Sequence, residues 1–331
     1  MSHRVLWLQT QQSFEVEDNE TVLAAAQRQG VDLPYECTLG GCGTCRMTVA
    51  QGTVRYEDLP MALTEEEHAQ GQGLACQALC DSDLVISIET GPSASPPSLV
   101  DTTVGSISAL APGVTLLRLR LPPGHGVIYT PGQYVNILLE DGTHRSFSIA
   151  NAPGGGQDID LHIRRIEGGR FTSRMLQNIE AGDTLRVELP HGAFYYREKD
   201  YRPMIFAATG TGLAPIRAIL ESLLDNDDLP PSRLYWGMRS QSEFYYLDEL
   251  AQWGERLYEF EFIPVLSRPG PSWQGRTGHV QDAVLADIPD LSEHSVYLCG
   301  SPDMISDAKT RFVQAGADPA HIYADSFTFQ R

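Results

Sequence analysis

Three of the six cysteines in this 331-residue chain lie within nine residues of one another. Cys37, Cys42 and Cys45 form a C-x4-C-x2-C pattern, the spacing of plant-type [2Fe–2S] sites, whose fourth thiolate comes from farther along the chain. A structural zinc site is the alternative, but it usually draws on paired C-x2-C or C…H units, and this chain has one C-x2-C. The pattern therefore predicts an iron–sulfur cluster, with Cys76 favoured over Cys80 as the fourth ligand.

The glycines between these cysteines fit the same chemistry. The sulfur atoms of such a cluster carry negative charge and need backbone N–H donors. Gly40, Gly41 and Gly43 can take loop conformations that other residues resist, so N–H groups can turn toward the sulfurs.

Two segments farther along the chain have residues that suit phosphate. Arg145 can bind a phosphate through both arms of its guanidinium, and Ser148 can hydrogen-bond a ring nitrogen or oxygen. In Gly168–Ser173, just before a helix that we expect to start at Met175, backbone N–H groups and the Thr172 hydroxyl suit a pyrophosphate. The plainer interpretations are an alternating strand with an exposed arginine and an ordinary helix N-cap.

A third candidate site follows the strand predicted at Met204–Ala208. The turn Thr209–Arg217 lets backbone N–H groups and a helix dipole face a pyrophosphate. It departs from the G-x-G-x-x-G fingerprint, because Pro215 stands in place of the third glycine. Cys299 lies at the carboxyl end of a later strand, where doubly wound sheets bind ligands, although a lone buried cysteine is more often part of a core.

The end of the second predicted strand bears on coenzyme selection. The strand ends in Gly237-Met238-Arg239, without the acidic residue that would bind a ribose hydroxyl. Either Arg239 or the Ser267–Arg268 pair could accept a 2′-phosphate instead.

The elements that must position these residues divide the chain into three zones and a linker. Residues 1–90 hold five of the six cysteines and carry four basic against fourteen acidic residues. Residues 91–100, rich in Pro and Ser, form the linker. Short β-type runs between turns in residues 101–200 predict an antiparallel β-barrel or sandwich. Strands that alternate with helices in residues 201–331 predict a parallel, doubly wound α/β sheet.

The composition excludes several classes of partner. A formal charge of −19 opposes binding to nucleic acid or to anionic lipid. No apolar stretch approaches the roughly 18 residues of a membrane span, and the N-terminus lacks the apolar core of a signal peptide. We therefore expect a cytoplasmic protein with no membrane partner, in which the cysteines do not form a disulfide framework.

These motifs resemble those of two known families. Residues 1–90 resemble the plant-type ferredoxin domain, a β-grasp fold. The remainder resembles the ferredoxin-NADP+ reductase superfamily, whose Arg-x-Tyr-Ser motif appears with Phe147 in place of tyrosine and whose Gly-x-x-Ser motif appears as Gly169–Thr172. Its Gly-Thr-Gly-x-Ala-Pro and Cys-Gly-x-Pro-x-Met motifs appear at Gly210–Pro215 and Cys299–Met304. The resemblance implies FAD on the barrel, a nicotinamide coenzyme on the α/β domain and one-electron transfer through the cluster.

The same resemblance implies roles for single residues. Ser148 and Cys299 would lie near the flavin and nicotinamide rings, Phe327 would cover the flavin face, and Asp325 would be the acid of the C-terminal acid-x-aromatic pattern, with a plain C-terminal strand as the alternative. The predicted cofactor-binding residues are Arg145, Ser146, Phe147, Ser148, His162, Ile163, Arg164, Gly169, Phe171, Thr172, Gly210, Thr211, Gly212, Pro215, Gly237, Arg239, Cys299, Gly300 and Ser301. The predicted metal ligands are Cys37, Cys42, Cys45 and Cys76.

The domain order resembles that of the one-chain reductases of bacterial oxygenases and, equally, that of the CDP-6-deoxy-glucoseen reductases. We expect NADH, with NADPH as the alternative, to reduce the flavin of a monomeric protein. The electrons would then pass through the cluster to a Rieske-type or diiron oxygenase or to a dehydratase. The rival functions are a self-sufficient flavin reductase, in which a cluster has little purpose, and an iron–sulfur sensor, which needs no hydride entry.

Overall fold

The chain forms two compact units. The computed structural model describes residues 2–31, 33–35, 38–41, 43–88, 97–154 and 158–327. Unit 1 joins Met1–Thr90 to two short C-terminal segments, Ser301–Arg311 and Ala324–Thr328. Unit 2 contains Gly91–Gly300 and Phe312–Tyr323. The barrel and most of the α/β zone therefore share one unit.

Unit 1 is built on a five-stranded mixed sheet. Its elements are β1 His3–Trp7, β2 Gln12–Val16, α1 Val22–Arg28, β3 Arg46–Gln51, β4 Val54–Arg55, α2 Glu65–Ala69, β5 Gln72–Leu74, β6 Leu79–Cys80 and β7 Leu84–Ser87. The spatial order is β2-β1-β7-β3-β5, in which β1 and β7 are parallel and the other neighbours are antiparallel. This arrangement confirms the expected β-grasp fold.

Alternating apolar residues supply the core of this sheet. Val5 and Trp7 are buried on β1, whereas the residues between and before them are more exposed. Helix α1 begins after Thr21, whose hydroxyl accepts a hydrogen bond from the backbone N–H of Ala24 and so caps the helix. The apolar face of α1 packs into the same core.

The first part of unit 2 is an antiparallel barrel. Its strands are β8 Ser98–Ala111, β9 Val114–Arg120, β10 Tyr134–Leu138, β11 His144–Ser148, β12 Asp158–Arg164 and β13 Thr184–His191. They follow the order β11-β10-β13-β8-β9-β12, and a bridge between Ile149 and Leu161 links the two ends of the sheet. The predicted barrel is confirmed.

The β-type runs that the sequence shows in this zone are Val114–Leu121, Tyr134–Leu139, Ser146–Ile149 and Ile159–Arg164, so β8 and β13 were not predicted. Strand β8 begins at Ser98, within the range 91–100 that the composition marks as a linker. Its pairing with β9 shifts register between Val104 and Ser106 and again between Ala109 and Ala111. These bulges break the alternation by which a strand is recognised in a sequence.

The second part of unit 2 is the predicted α/β sheet. Its elements are β14 Met204–Thr209, α3 Leu213–Leu223, β15 Ser232–Met238, α4 Leu247–Gln252, β16 Phe260–Leu266, β17 Arg276–Thr277, α5 Val280–Asp287, β18 Ser295–Gly300, α6 Pro302–Gln314 and β19 Ile322–Ser326. The order is β17-β16-β15-β14-β18-β19, and the first five strands in this order pair in parallel. None of the helices in the described part of the chain is long and apolar enough to span a bilayer.

Within unit 2, helix α3 is tied to the barrel by buried polar contacts. The Arg217 guanidinium donates to Ala150 O over 2.7 Å and pairs with Glu249 at 2.7 Å. Glu221 accepts a hydrogen bond from Ala152 N at 2.7 Å. The segment just after β11 is therefore fixed to the helix that follows the glycine turn of the α/β sheet.

A tight turn of the barrel at Gly132 offers a test of how closely the barrel is packed. Gly132 has φ of +102°, and a Cβ at this position would lie 2.1 Å from Phe194 O. Gly132→Ala should lower the free energy of unfolding by about 1–3 kcal/mol, because strain and a backbone clash act together. Chemical denaturation followed by circular dichroism measures the change.

Gly254→Ala is the matched control, because its φ is ordinary and its nearest neighbour, Phe260 O, would be at 3.6 Å. Equal stability of the two variants would contradict the packing described for Gly132.

Candidate functional site

The structure places two of the four predicted metal ligands side by side in unit 1. Strands β3 and β5 pair so that Arg46 lies opposite Leu74, and Ala75 N donates to Cys45 O over 3.0 Å. Cys45 and Cys76, which adjoin these residues in the chain, are both buried. The predicted ligands Cys37 and Cys42 lie outside the described residues.

Cys76 and Cys80, the two candidates for the fourth ligand, lie in different surroundings. Burial raises the pKa of Tyr56 to about 12, and the neighbouring Cys45 and Cys76 add to that rise. Cys80 lies instead on β6, opposite Val54. Burial and the carboxylates of Asp81 and Asp83 raise the pKa of its thiol to about 12.

The loop before β3 is held in a conformation that requires glycine. Gly40 has φ of +71°, and a Cβ on it would lie 2.7 Å from the Pro60 side chain. Ala62 N donates to Gly40 O over 2.9 Å, and Gln77 donates to Thr38 O over 2.8 Å. The donor set and this close-packed loop fit a [2Fe–2S] cluster.

The first phosphate-binding candidate lies on β11 of the barrel. Ser148 is buried opposite Tyr134, and Ser146 donates to the Asn136 side chain over 2.7 Å. Phe147 packs against Phe171, with ring centroids 5.4 Å apart. The two sequence motifs therefore meet in the barrel, and Arg145 lies on the same strand.

The glycine turn after β12 begins its helical geometry earlier than expected. A wide, π-type turn covers Arg170–Met175, so Thr172 lies inside it, whereas the sequence predicted a helix that starts only at Met175. A Cβ on Gly169 would lie 2.5 Å from the Thr172 hydroxyl. That hydroxyl accepts from Ile166 N at 3.1 Å, so a local hydrogen bond starts the turn early.

His162 is a buried polar residue of the barrel whose surroundings fit a bound cofactor. It is buried on β12, and its Nδ1 lies 3.4 Å from the Tyr245 hydroxyl, while Nε2 has no hydrogen-bond partner among the described residues. Burial, with a smaller effect of Arg217, lowers the pKa of His162 to about 3, so the ring is neutral. A buried, unsatisfied nitrogen beside the flavin motifs fits a bound FAD that supplies its partner.

Strand β12, which carries the predicted cofactor-binding residues His162, Ile163 and Arg164, lies close to the glycine turn Gly210–Gly212 in unit 2. A Cβ on Gly210 would lie 3.1 Å from Nη1 of Arg164, which is next to Ile163 on β12. A Cβ on Gly212 would lie 2.2 Å from Cys299 O. The turn formed by Gly210, Thr211 and Gly212 therefore sits directly against the end of β18, and Pro215 lies in the first turns of α3.

The remaining coenzyme candidates lie at neighbouring strand ends. A Cβ on Gly237 would lie 2.7 Å from Val280, so the end of β15 also lacks room for a side chain. Arg268 N donates to Arg239 O over 2.9 Å, which makes one cluster of the two alternative 2′-phosphate sites. Glu243 accepts from the backbone N–H of Arg239 and adds a carboxylate to this cluster.

Four predicted residues lie at or after the end of β18. Gly300 closes β18, and Ser301 precedes α6 and accepts from Met304 N at 3.4 Å. Asp325 and Phe327 lie in the C-terminal segment assigned to unit 1, in which the adjacent Ser326 hydroxyl donates to Gly41 O. Their predicted roles at the flavin remain predictions.

Tyr245 contacts a predicted site residue, and sequence reasoning missed it. Its ring meets that of His162 edge-on, with centroids 5.2 Å apart, although 83 residues separate the two in the chain. The aromatic run Phe244-Tyr245-Tyr246 just after a strand end was the available signal.

The buried histidine makes stability depend on pH. Its folded pKa of about 3 lies below the ordinary 6.5, so the stability is complete above pH 6.5 and is lost as pH falls toward 3. His162→Phe should reduce the acid slope of the unfolding free energy between pH 6 and 4 by about 1.4 kcal/mol per pH unit. Urea denaturation at several pH values measures it, with His125→Gln on a surface loop as the control.

The same variant tests the contact with FAD. His162→Phe should weaken FAD binding roughly tenfold, the range of one buried hydrogen bond, without lowering the stability of the FAD-free protein. Unchanged FAD affinity in a titration followed by flavin fluorescence would show that His162 serves packing alone.

Three family models match consecutive parts of the chain. The 2Fe-2S iron-sulfur cluster binding domain matches residues 5–81, the oxidoreductase FAD-binding domain matches residues 101–196, and the oxidoreductase NAD-binding domain matches residues 206–310. These matches confirm that the chain is an oxidoreductase with domains for a [2Fe–2S] cluster, FAD and a nicotinamide coenzyme.

Several known proteins match nearly the whole chain. CDP-6-deoxy-L-threo-D-glycero-4-hexulose-3-dehydrase reductase of Yersinia pestis is 35% identical over 316 residues, which cover 95% of each chain. Reductase component 2 of terephthalate 1,2-dioxygenase from Comamonas sp is 34% identical and covers 99% of this chain and 98% of its own. The crystal structure of Amycolatopsis cytochrome P450 reductase GcoB superposes with a TM-score of 0.74 at 30% identity and covers 99% of both chains. The chain therefore belongs to the ferredoxin-NADP+ reductase superfamily, as a one-chain reductase that transfers electrons from a nicotinamide coenzyme to a partner.

Proposed function

We propose that this chain is the NADH-dependent reductase component of an oxygenase, either a Rieske-type ring-hydroxylating enzyme or a diiron monooxygenase. The observation that carries the proposal is the pairing of β3 with β5, which brings the buried Cys45 beside Cys76. A ligand site for a one-electron carrier in the same chain as flavin and coenzyme domains fits delivery of single electrons to another protein. Relatives that serve oxygenases, among them the terephthalate 1,2-dioxygenase reductase, support the choice of acceptor.

When bound, the coenzyme and flavin would supply hydride transfer, and the cluster would supply one-electron transfer. The chain's own residues bind and orient these groups. Arg145 and Thr172 hold the flavin phosphates, and Ser148 contacts the ring. Gly210 and Gly212 let the coenzyme approach the backbone closely.

An exposed apolar surface next to the cysteine loop suits a protein acceptor. Leu39, in that loop, is 74% exposed, and Leu59 and Met61 are also exposed. The acidic side chains Glu57 and Asp58 lie beside Leu59 in the chain and are exposed as well. Apolar contacts bordered by acidic groups fit an acceptor whose docking surface is apolar at its centre and basic at its rim.

A dehydrase is the second candidate acceptor. The observation in its favour is the 35% identity to the Yersinia pestis dehydrase reductase over 95% of both chains. The two candidates differ in the acceptor alone, so reduction of a purified Rieske oxygenase and of a purified dehydrase at equal concentrations distinguishes them.

We further propose that the protein acts as a cytoplasmic monomer. Three of the six cysteines follow the spacing of a [2Fe–2S] site and not that of a disulfide framework, which fits a reducing compartment. The net charge of −19 opposes self-association.

The proposed coenzyme preference rests on the family resemblance and on the charges around Arg239. The Glu243 carboxylate, bonded to Arg239 N, repels a 2′-phosphate at this strand end. The value of kcat/KM for NADH should exceed that for NADPH by about tenfold or more. Arg239→Gln should lower the residual use of NADPH and leave that of NADH unchanged, and a wild-type preference for NADPH would refute the proposal.

Substitution of the fourth ligand tests the electron path. Cys76→Ser should abolish bound iron and sulfide, and reduction of cytochrome c should fall by about tenfold or more, because the one-electron carrier is lost. NADH-dependent reduction of ferricyanide should persist, because it draws on the flavin.

Cys80→Ser is the matched control and should retain iron, sulfide and both activities. Loss of the cluster in Cys80→Ser but not in Cys76→Ser would reverse the ligand assignment. Full cytochrome c reduction by a cluster-free Cys76→Ser would favour a self-sufficient flavin reductase.

A further inference from the structure

One of the two lysines in the chain is buried in unit 1. Lys309 lies in helix α6, within the segment Ser301–Arg311, and its side chain is 3% exposed. Its ammonium lies 3.1 Å from Oε1 of Glu67, which is 5% exposed, and donates to Ala62 O over 3.4 Å. A segment from the C-terminal part of the chain thus places a positive charge inside the ferredoxin unit.

Arg46 completes a cluster of three charges. Its Nη1 lies 3.1 Å from the same Glu67 oxygen, and its Nη2 donates to Ala62 O. Two positive groups and one negative group therefore share this interior, which leaves one net positive charge. Arg46 follows Cys45 directly in the chain.

Ala62 connects this cluster to the cysteine loop. Its carbonyl accepts from Arg46 and Lys309, while its N–H donates to Gly40 O over 2.9 Å. On the other side of the loop, a Cβ on Gly43 would lie 3.8 Å from the Ala62 side chain. One peptide thus separates the buried charges from the loop that carries the cysteines.

Helix α2 does not need Lys309 for its own stability. Glu67 forms a capping box with Thr64, in which Oε2 accepts from Thr64 N at 2.8 Å and Glu67 N donates to the Thr64 hydroxyl over 3.1 Å. Arg46 already supplies a positive partner for Oε1. Glu67 therefore needs no second positive partner. Because burial of a charge costs free energy, the buried Lys309 calls for another explanation.

Lys309 remains charged at neutral pH. Burial, with a smaller effect of Arg46, lowers its pKa to about 8, and Glu67 opposes that fall. The lysine ammonium is a compact point charge. In a low-dielectric interior such a charge acts over a longer range than one at the surface.

We propose that Lys309 raises the reduction potential of the [2Fe–2S] cluster, so that the C-terminal segment of the chain tunes the electron carrier at its front. The inference rests on the proposed function, because it assumes a cluster on Cys45 and Cys76. Adding one electron makes the cluster more negative by one charge, and a buried positive charge behind the loop favours that state. Lys309 acts through its field and touches no reacting atom.

The test measures the cluster midpoint potential of the holoprotein by a redox titration followed by electron paramagnetic resonance. The titrations are run at about pH 6, to keep Lys309 protonated once Glu67 no longer supports its charge. Lys309→Met should then lower the potential, and Glu67→Gln should raise it. Each shift should correspond to a roughly three- to tenfold change in the one-electron equilibrium constant, or about 30–60 mV. The double variant Glu67→Gln with Lys309→Met restores one net positive charge and should return close to wild type.

The opposite signs separate tuning from structural damage, which would move both single variants in the same direction. Lys199→Met, at the exposed second lysine, is the matched control and should leave the potential unchanged. Lys309→Gln, which can still donate to Glu67, replaces Lys309→Met if the methionine variant does not fold.

Shifts of equal sign, or none, in variants with full iron and sulfide would overturn the inference and leave the proposed function intact. Wild-type protein that holds no iron or sulfide after reconstitution would instead refute the proposed function itself.

Discussion

The pairing of β3 with β5 is the constraint on which the function of this chain depends. It brings together two cysteines that are 31 residues apart, by setting Arg46 opposite Leu74 and bonding Ala75 N to Cys45 O. A shift of one residue in this pairing would turn each side chain of the strands to the opposite face. Cys45 and Cys76, which adjoin the paired residues, would then be displaced relative to one another, and the predicted ligand set of the one-electron carrier would be lost.

A second constraint acts in unit 2, where function requires close approach of backbone to backbone. The turn at Gly212 leaves no room for a side chain against Cys299, and Gly210 lies under the guanidinium of Arg164. Arg217 fixes α3 to the strand segment after β11. The predicted binding motifs of the barrel and of the α/β sheet therefore lie close together. Glycines at positions 210 and 212 allow the close approach, and the hydrogen bond from Arg217 stabilises it.

The sequence allowed prediction of those features that are encoded locally. The C-x4-C-x2-C pattern, the glycine turn after Met204–Ala208 and the alternation of short strands each lie within a few residues, and each identified its element. Strand β8 escaped because two bulges interrupt its alternation. The contacts of His162 with Tyr245 and of Lys309 with Glu67 escaped because 83 and 242 residues separate the partners, and no local pattern reports which distant side chains meet.

The chain carries negative charge mainly at its surface and has positive side chains in the interior of unit 1, and the two act on different steps of electron transfer. The chain is strongly acidic overall, and its exposed carboxylates act through water and salt, which screen them within about 10 Å. They can attract a basic acceptor during encounter, yet they have little influence on a buried cluster. The buried Lys309 and the partly buried Arg46 are screened less, so their charges act on an electron held inside more strongly than surface charges do. A reductase can therefore vary its surface to suit a partner while its interior keeps the electron carrier at a constant potential.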